Sequence, residues 1–420
     1  MCNWPLRPSA ASAMLLLTVM FASSLSAQSL RVLHNFGVAA GDGDIPYSSL
    51  IMDASGNLYG TTLEGGAHGF GTVYRLSASG GGWKETILYS FKGGTDGASP
   101  HAPLIQDSIG NLYGTTIQGG LTSKNCNSTA PATGCGVVFK LTPATQGPWT
   151  ETVLYSFTGG GDGGNPYSGL VRDRAGNLYG TTVAGGANDM GTVFKLSFPT
   201  NVWTETVLHS FTGNSDGNGP YAGVVFDRLG KLYGTTYEGG SAGLGIVYEL
   251  TPRKLGAWSE TILHTFEGQG GNDGAQPLAG VVLDNNGDVF GTTTSGGSSN
   301  YGAVFELNAS NGYSGTVIHN FDLGAGDGTF PNGVILDTHG NLYGTTSGGG
   351  ATNGAGTIFE MTPGGSGWTE TVLFTFLNTA NGVYPDTPLY IDSSGKLYGT
   401  TLWGGKSGDT TGGVTFQFTP

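Results

Sequence analysis

Charge is scarce in this 420-residue chain: Asp, Glu, Lys and Arg together make up 11%, less than half the usual share. Lys and Arg number 16 against 30 Asp and Glu, for a net charge of −14. No basic stripe is available to neutralise a phosphate backbone, which excludes nucleic acid as a partner. Cysteine occurs three times and histidine seven, too sparsely for a structural zinc set. The longest apolar run, Ala13 to Ala22, is ten residues, where a bilayer span takes roughly 20. No stretch after it repeats apolar residues at helical spacing, so a helical fold is excluded as well.

The short run has another reading. Arg7 precedes it and Leu25-Ser26-Ala27 follows it as a cleavage site, so residues 1–27 read as a secretory signal. The mature chain, 28–420, then carries 15 bases and 30 acids, and is expected to be exported to the periplasm, the cell surface or the medium. Cys2 follows the initiator Met and is not placed for lipid attachment. Cys126 and Cys135 remain after processing, and in an oxidising compartment they are expected to pair.

What the chain has in excess is glycine, 78 residues, more than twice the usual share and without a collagen period. Much of it belongs to a repeat. Leu-Tyr-Gly-Thr-Thr, or its variant Val-Phe-Gly-Thr-Thr, recurs with its aromatic at Tyr59, Tyr113, Tyr179, Tyr233, Phe290, Tyr343 and Tyr398, at intervals of 54, 66, 54, 57, 53 and 55 residues. The long interval contains both cysteines. Each unit holds four strand-like runs rich in β-branched and aromatic residues. Asp-x-x-Gly joins the first two, at Asp53 and its six counterparts, as a type I turn closed by a glycine at positive φ.

The ends complement each other. Leu30 to Phe36 is a fourth run with no unit before it, and Gly413 to Phe418 is a third run with no fourth after it. The pattern predicts an all-β, seven-bladed β-propeller with four antiparallel strands per blade, the N-terminal strand completing the last blade.

The strings Gly-Asn-Leu-Tyr-Gly-Thr-Thr at Gly56, Gly-Thr-Val-Phe-Lys-Leu at Gly191 and Glu-Thr-Val-Leu-Tyr-Ser-Phe at Glu151 resemble the GloVer tandem repeat of bacterial "choice-of-anchor" proteins, over residues 30 to 420. The resemblance implies an exported propeller-type protein with no established activity. Such proteins often end in an anchoring segment; this sequence, which runs to Thr419-Pro420, departs from that pattern.

Function is sought where the copies differ. The crossing between blades reads Asp/Asn-Gly-x-x-Pro, opened by Asp42, Asp96, Asp162, Asp216, Asp273, Asp327 and Asn381, and the residue after Pro varies: Tyr47, His101, Tyr167, Tyr221, Leu278, Asn332 and Asp386. The loops between second and third strands vary too and place His68 on the same face. A ligand surface is expected there, built from Tyr47, His101, Tyr167, Tyr221, His68, Asp42, Asp96, Asp162 and Asp216. The expected ligand is a glycan or a protein, held by a monomeric binding module. A carbohydrate-active hydrolase or lyase with carboxylates at the central channel, and a purely structural surface protein, are the alternatives. No cofactor is expected; calcium at Asp42 and Asp44 is the weaker reading, since each crossing supplies few oxygens. His34, His209, His264 and His319 fill a position taken elsewhere by Tyr89, Tyr155 and Phe374, and read as aromatic packing.

Overall fold

The computed structural model describes residues 28–420 apart from 124, 127–132, 145–146, 148, 269–272, 325, 352–353, 366, 378 and 408–411. The expected signal segment, residues 1–27, lies outside the described residues. Seven four-stranded antiparallel sheets follow one another as the blades of a propeller. Blade 3 is representative: Val171–Arg172 is innermost, then Leu178–Thr182, Thr192–Ser197 and Thr204–Ser210 outward. Blade 7 contains Tyr390–Ile391, Leu397–Thr401 and Val414–Thr419, and Ser29–Asn35 pairs with the last of these from Ser29↔Thr419 to Asn35↔Val414. The ring therefore closes with a strand from the other end of the chain.

The repeated motif is buried in every blade, all five residues of it. Tyr59 packs against Trp149 of the next blade at 6.4 Å between centroids and donates its hydroxyl to Asp53, 2.9 Å away. Gly60 is small because Tyr74 lies over it: a Cβ there would stand 2.5 Å from the Tyr74 hydroxyl. The first Thr of the motif reaches the neighbouring blade. Thr115 Oγ1 donates to the Ser168 carbonyl at 2.9 Å, Thr181 to Ala222 at 2.9 Å, Thr345 to Thr387 at 3.0 Å and Thr400 to Ser48 at 3.1 Å. Six of these seven threonines make the bond. The exception, Thr292, has a buried Oγ1 without a partner among the described residues. Its acceptor is missing because blade 6 enters as Pro331-Asn332-Gly333-Val334, one residue shorter than Pro385-Asp-Thr-Pro-Leu389. There the pairing slips between Pro331 and Val334, and the Gly333 carbonyl turns toward Gly344 of its own blade.

In six blades the innermost strand is shorter than its apolar run suggested. It pairs over two residues, as at Ile51–Met52 or Val225–Phe226, whereas blade 6 pairs along Gly328–Leu336. Proline has no N–H to give a ladder, and the carbonyls beyond it are committed to the neighbouring blade's threonine.

Each crossing proline is itself a clamp. Pro100 packs on Gly71 of the preceding blade, where a Cβ would lie 2.6 Å from its Cδ. The residue before each proline is left-handed: Ile45, Ser99, Asn165, Gln276, Phe330 and Tyr384 have φ of 54–59°, and Gly219 has 63°. Their amides bridge blades to hold this conformation: Ser99 N–H donates to Phe70 O at 2.9 Å, and Ser99 O accepts from Ile117 N–H at 3.2 Å.

Candidate functional site

The seven residues that follow the crossing prolines meet. Tyr47, His101, Tyr167, Tyr221, Leu278, Asn332 and Asp386 all line one axial cavity of about 280 Å³, fed by the inner strands of all seven blades. None of the seven is fully buried, and Leu278 is 37% exposed. The left-handed residue and the proline before each one explain the placement, since together they aim the next side chain at the axis.

The cavity has two unlike walls. Blades 1 to 4 supply an aromatic arc: Tyr47 to His101 is 4.1 Å between centroids, His101 to Tyr167 3.9 Å, and Tyr167 to Tyr221 5.3 Å at 86°. Tyr237 extends it, 5.6 Å from Tyr221. His101 is stacked between two tyrosines and its Nδ1 lies 3.2 Å from the Tyr167 carbonyl. Burial pushes its pKa down to about 3, so the ring is neutral and adds no charge. Opposite, blades 6, 7 and 1 supply a polar wall. Tyr47 donates to Asp386 Oδ2 at 2.7 Å, Ser347 Oγ contacts Asp386 Oδ1 and lies 2.9 Å from Asn332 Oδ1, and Asn332 Nδ2 donates to the Pro385 carbonyl at 2.8 Å. Burial, then the Asp386 charge, holds the Tyr47 hydroxyl protonated well above its usual range.

Other sequence-predicted residues lie elsewhere. Asp42, Asp96, Asp162 and Asp216 do not line the cavity; each faces the fourth strand of the blade it leaves. Tyr89 and Tyr155 donate to Asp96 and Asp162 at 2.9 and 3.0 Å, and His264 lies 2.9 Å from Asp273. At five junctions a glutamate of the next blade joins the group, with His34 3.7 Å from Glu85 and His209 3.7 Å from Glu260. The histidines are thus polar partners as well as packing. At the one junction where the aromatic is Phe374, the Asp position holds Asn381 and the Glu position Leu30. All three polar groups are lost together there, whereas at the His264–Asp273 junction only the glutamate is lost, its place taken by Gly315, which lies against the His264 ring.

Three junctions, His34–Asp42–Glu85, His209–Asp216–Glu260 and His319–Asp327–Glu370, bring three ligand-type atoms within 4.8 Å of one another. Tyrosine takes the histidine's place at two others with the same acid pair, which makes a shared proton between carboxyls the simpler chemistry. Burial, then Asp42, pushes Glu85 up to about 8; burial, then Asp216, does the same to Glu260. Asp44, expected beside Asp42 as a calcium ligand, accepts from the Gly412 amide at 2.7 Å. His68 is exposed on the second-to-third loop of blade 1, outside the cavity lining. Cys126 and Cys135 form a disulfide in the corresponding loop of blade 2.

Sequence reasoning passed over Tyr237 and Ser347, which contact the lining residues Tyr221 and Asp386 without lining the cavity themselves. Both follow the motif's second threonine, where the other copies carry Leu63, Ile117, Val183, Thr294 and Leu402. Their aromatic and polar character was the available signal.

These features define a seven-bladed propeller whose sevenfold frame carries one irregular axial cavity. The chain belongs to the Gloeobacter/Verrucomicrobia repeat family, whose model matches residues 17–126, 125–322 and 230–420. No curated protein matches the sequence. Among solved structures it is similar to an ancestral GH74 enzyme, with a TM-score of 0.55 and 10% identity over 89% of this chain and 48% of that one. It is also similar to PorZ of Porphyromonas gingivalis, a surface component of the type-IX secretion system, with a TM-score of 0.51 and 15% identity over 90% and 47%. A Bacteroides uniformis protein provisionally assigned as a 6-phosphogluconolactonase gives 0.52 and 15% over 82% and 88%. At such identities these likenesses show the fold alone, and the chain spans about half the length of the first two.

Proposed function

We propose that this is an exported binding module that takes a glycan or a protein segment into the axial cavity. One observation carries the reading: the seven positions at which the crossings differ most, each just past an otherwise uniform proline, line the same 280 Å³ space. Variation on a rigid frame, concentrated in a concave site with a few convergent polar groups, is what a binding site requires. Paired-carboxylate glycoside chemistry takes two carboxyls. Among the described residues Asp386 is the one carboxylate in the lining, so binding is favoured over hydrolysis. The module is further proposed to act as a monomer in the periplasm, on the cell surface or in the medium, without nucleic acid.

Glycan- and peptide-array binding with the mature chain, followed by a turnover assay on any hit, tests this. Tyr167→Ala and Tyr221→Ala are expected to lower binding at least tenfold without shifting the melting temperature by more than a few degrees. Hits that both variants retain at full strength would move the site elsewhere, and turnover would restore the enzyme alternative.

A further inference from the structure

The polar wall of the cavity has more acceptors than protons. Asn332 Nδ2 is committed to the Pro385 carbonyl at 2.8 Å, and a carbonyl only accepts, so the amide is oriented with Oδ1 toward Ser347. Ser347 Oγ has one proton and faces two acceptors, Asn332 Oδ1 at 2.9 Å and Asp386 Oδ1. Whichever it serves, the other is left short of a donor among the described residues, and both acceptors belong to residues that line the cavity. Tyr47 satisfies Asp386 Oδ2 alone. A donor from outside is what this wall lacks.

Charge narrows the donor's nature. Asp386 is the one charged side chain lining the cavity among the described residues, and no Lys or Arg stands with it in the lining. Its partners are hydroxyls, which solvate a carboxylate without neutralising it. A part-buried carboxylate without a counter-ion is costly, and the tyrosine rings across the cavity present π-systems that also favour a cation. Resting on the reading that this cavity binds a ligand, we infer that the group received at the polar wall is an organic ammonium on an apolar or sugar body, with Asp386 as its counter-ion. Asn332 Oδ1 and Asp386 Oδ1 accept its N–H bonds, and the body lies toward Tyr167 and Tyr221. An amino sugar and a free peptide N-terminus share this chemistry.

Titration calorimetry of the mature chain at pH 6.5 with two matched pairs tests it: glucosamine against glucose, and glycyl-leucine against its N-acetylated form. The ammonium member of at least one pair is expected to bind tenfold or more tightly than its neutral partner, and the pair that responds identifies the source. Asp386→Asn is expected to abolish the preference, while Tyr167→Ala weakens both members of the pair. Equal binding of charged and neutral members, sensitive to Tyr167→Ala but not to Asp386→Asn, overturns the ammonium inference and leaves the cavity reading intact. Binding that neither variant alters overturns both, and no binding by either ammonium probe overturns the inference. Retention of the wild-type melting temperature by Asp386→Asn separates these results from misfolding.

Discussion

Replacing one threonine by valine should have opposite consequences at two copies of the same motif. Thr345 and Thr292 are equivalent first threonines, at 0% and 1% exposure. Valine has nearly the same shape and keeps the β-branch, so both substitutions change packing alike and differ only in hydrogen bonding. Thr345→Val removes the 3.0 Å bond to the Thr387 carbonyl and strands that acceptor inside the ring. The cost is about 1–2 kcal/mol. Thr292→Val removes a hydroxyl that has no partner among the described residues; relief of its desolvation is worth about 1 kcal/mol in the stabilising direction. For a domain of this size the unfolding entropy is about 0.8 kcal/mol per kelvin. The expected shifts in melting temperature are therefore about −2 °C and +1 °C, resolvable by calorimetry at one scan rate. Equal losses in both variants would refute the reasoning, since they would mean that Thr292 has an acceptor equivalent to Thr387 O.

Other consequences are accessible to the same assay. Tyr248 is fully buried and its hydroxyl has no partner among the described residues, whereas the equivalent Tyr74 lies 3.3 Å from Thr415; Tyr248→Phe should stabilise by about 1 kcal/mol and Tyr74→Phe should not. Five junction glutamates have raised pKa values, near 8 at Glu85 and Glu260, 7 at Glu151 and Glu205, and 6 at Glu370. A carboxyl raised above its unfolded value stabilises fully below about pH 4.5 and loses that contribution as pH rises through the folded value. The melting temperature should consequently fall between pH 5.5 and 8.5, and Glu260→Gln should flatten the fall; a profile that rises over this range would contradict the assignment. His209, held neutral by burial, acts in the opposite sense below about pH 6.5. Deleting residues 28–36 leaves the edge of Val414–Thr419 unpaired and should turn a discrete elution profile into an aggregating one.

Much of the fold was legible because seven copies align one chain against itself. The interval of the aromatic marker, the Asp-x-x-Gly turns and the complementary end runs led to the blade count and to the closing strand, and the structure has both. The cysteine pair was legible from compartment chemistry and forms the disulfide. What stayed hidden was long-range. Nothing local in Gly-Thr-Thr shows that its first hydroxyl crosses to a carbonyl 41 or 53 residues away. Nor does a proline announce that it rests on a glycine of the preceding blade. The inner strands read as full strands because an apolar run looks the same whether its backbone pairs along its length or, like theirs, over two residues.

The crossing aspartates teach the sharper lesson. Four of the six crossing aspartates, Asp42, Asp96, Asp162 and Asp216, were expected on the ligand surface, yet all six are matched by a hydroxyl or an imidazole within the blade they leave, and the match disappears at Phe374 and Asn381 together. Uniformity is what separates them from the residues after proline. The same criterion, applied to the residue after proline, selected Tyr47, His101, Tyr167 and Tyr221, and the structure brings these four together with Leu278, Asn332 and Asp386. A repeat protein can vary a position freely only where no neighbour depends on it. At the axis of a closed ring, seven such positions are brought within reach of one another by the ring itself. Divergence there costs the frame little and changes the character of the cavity one wall at a time, which is how one carboxylate and an aromatic arc come to face each other in a chain that otherwise repeats itself.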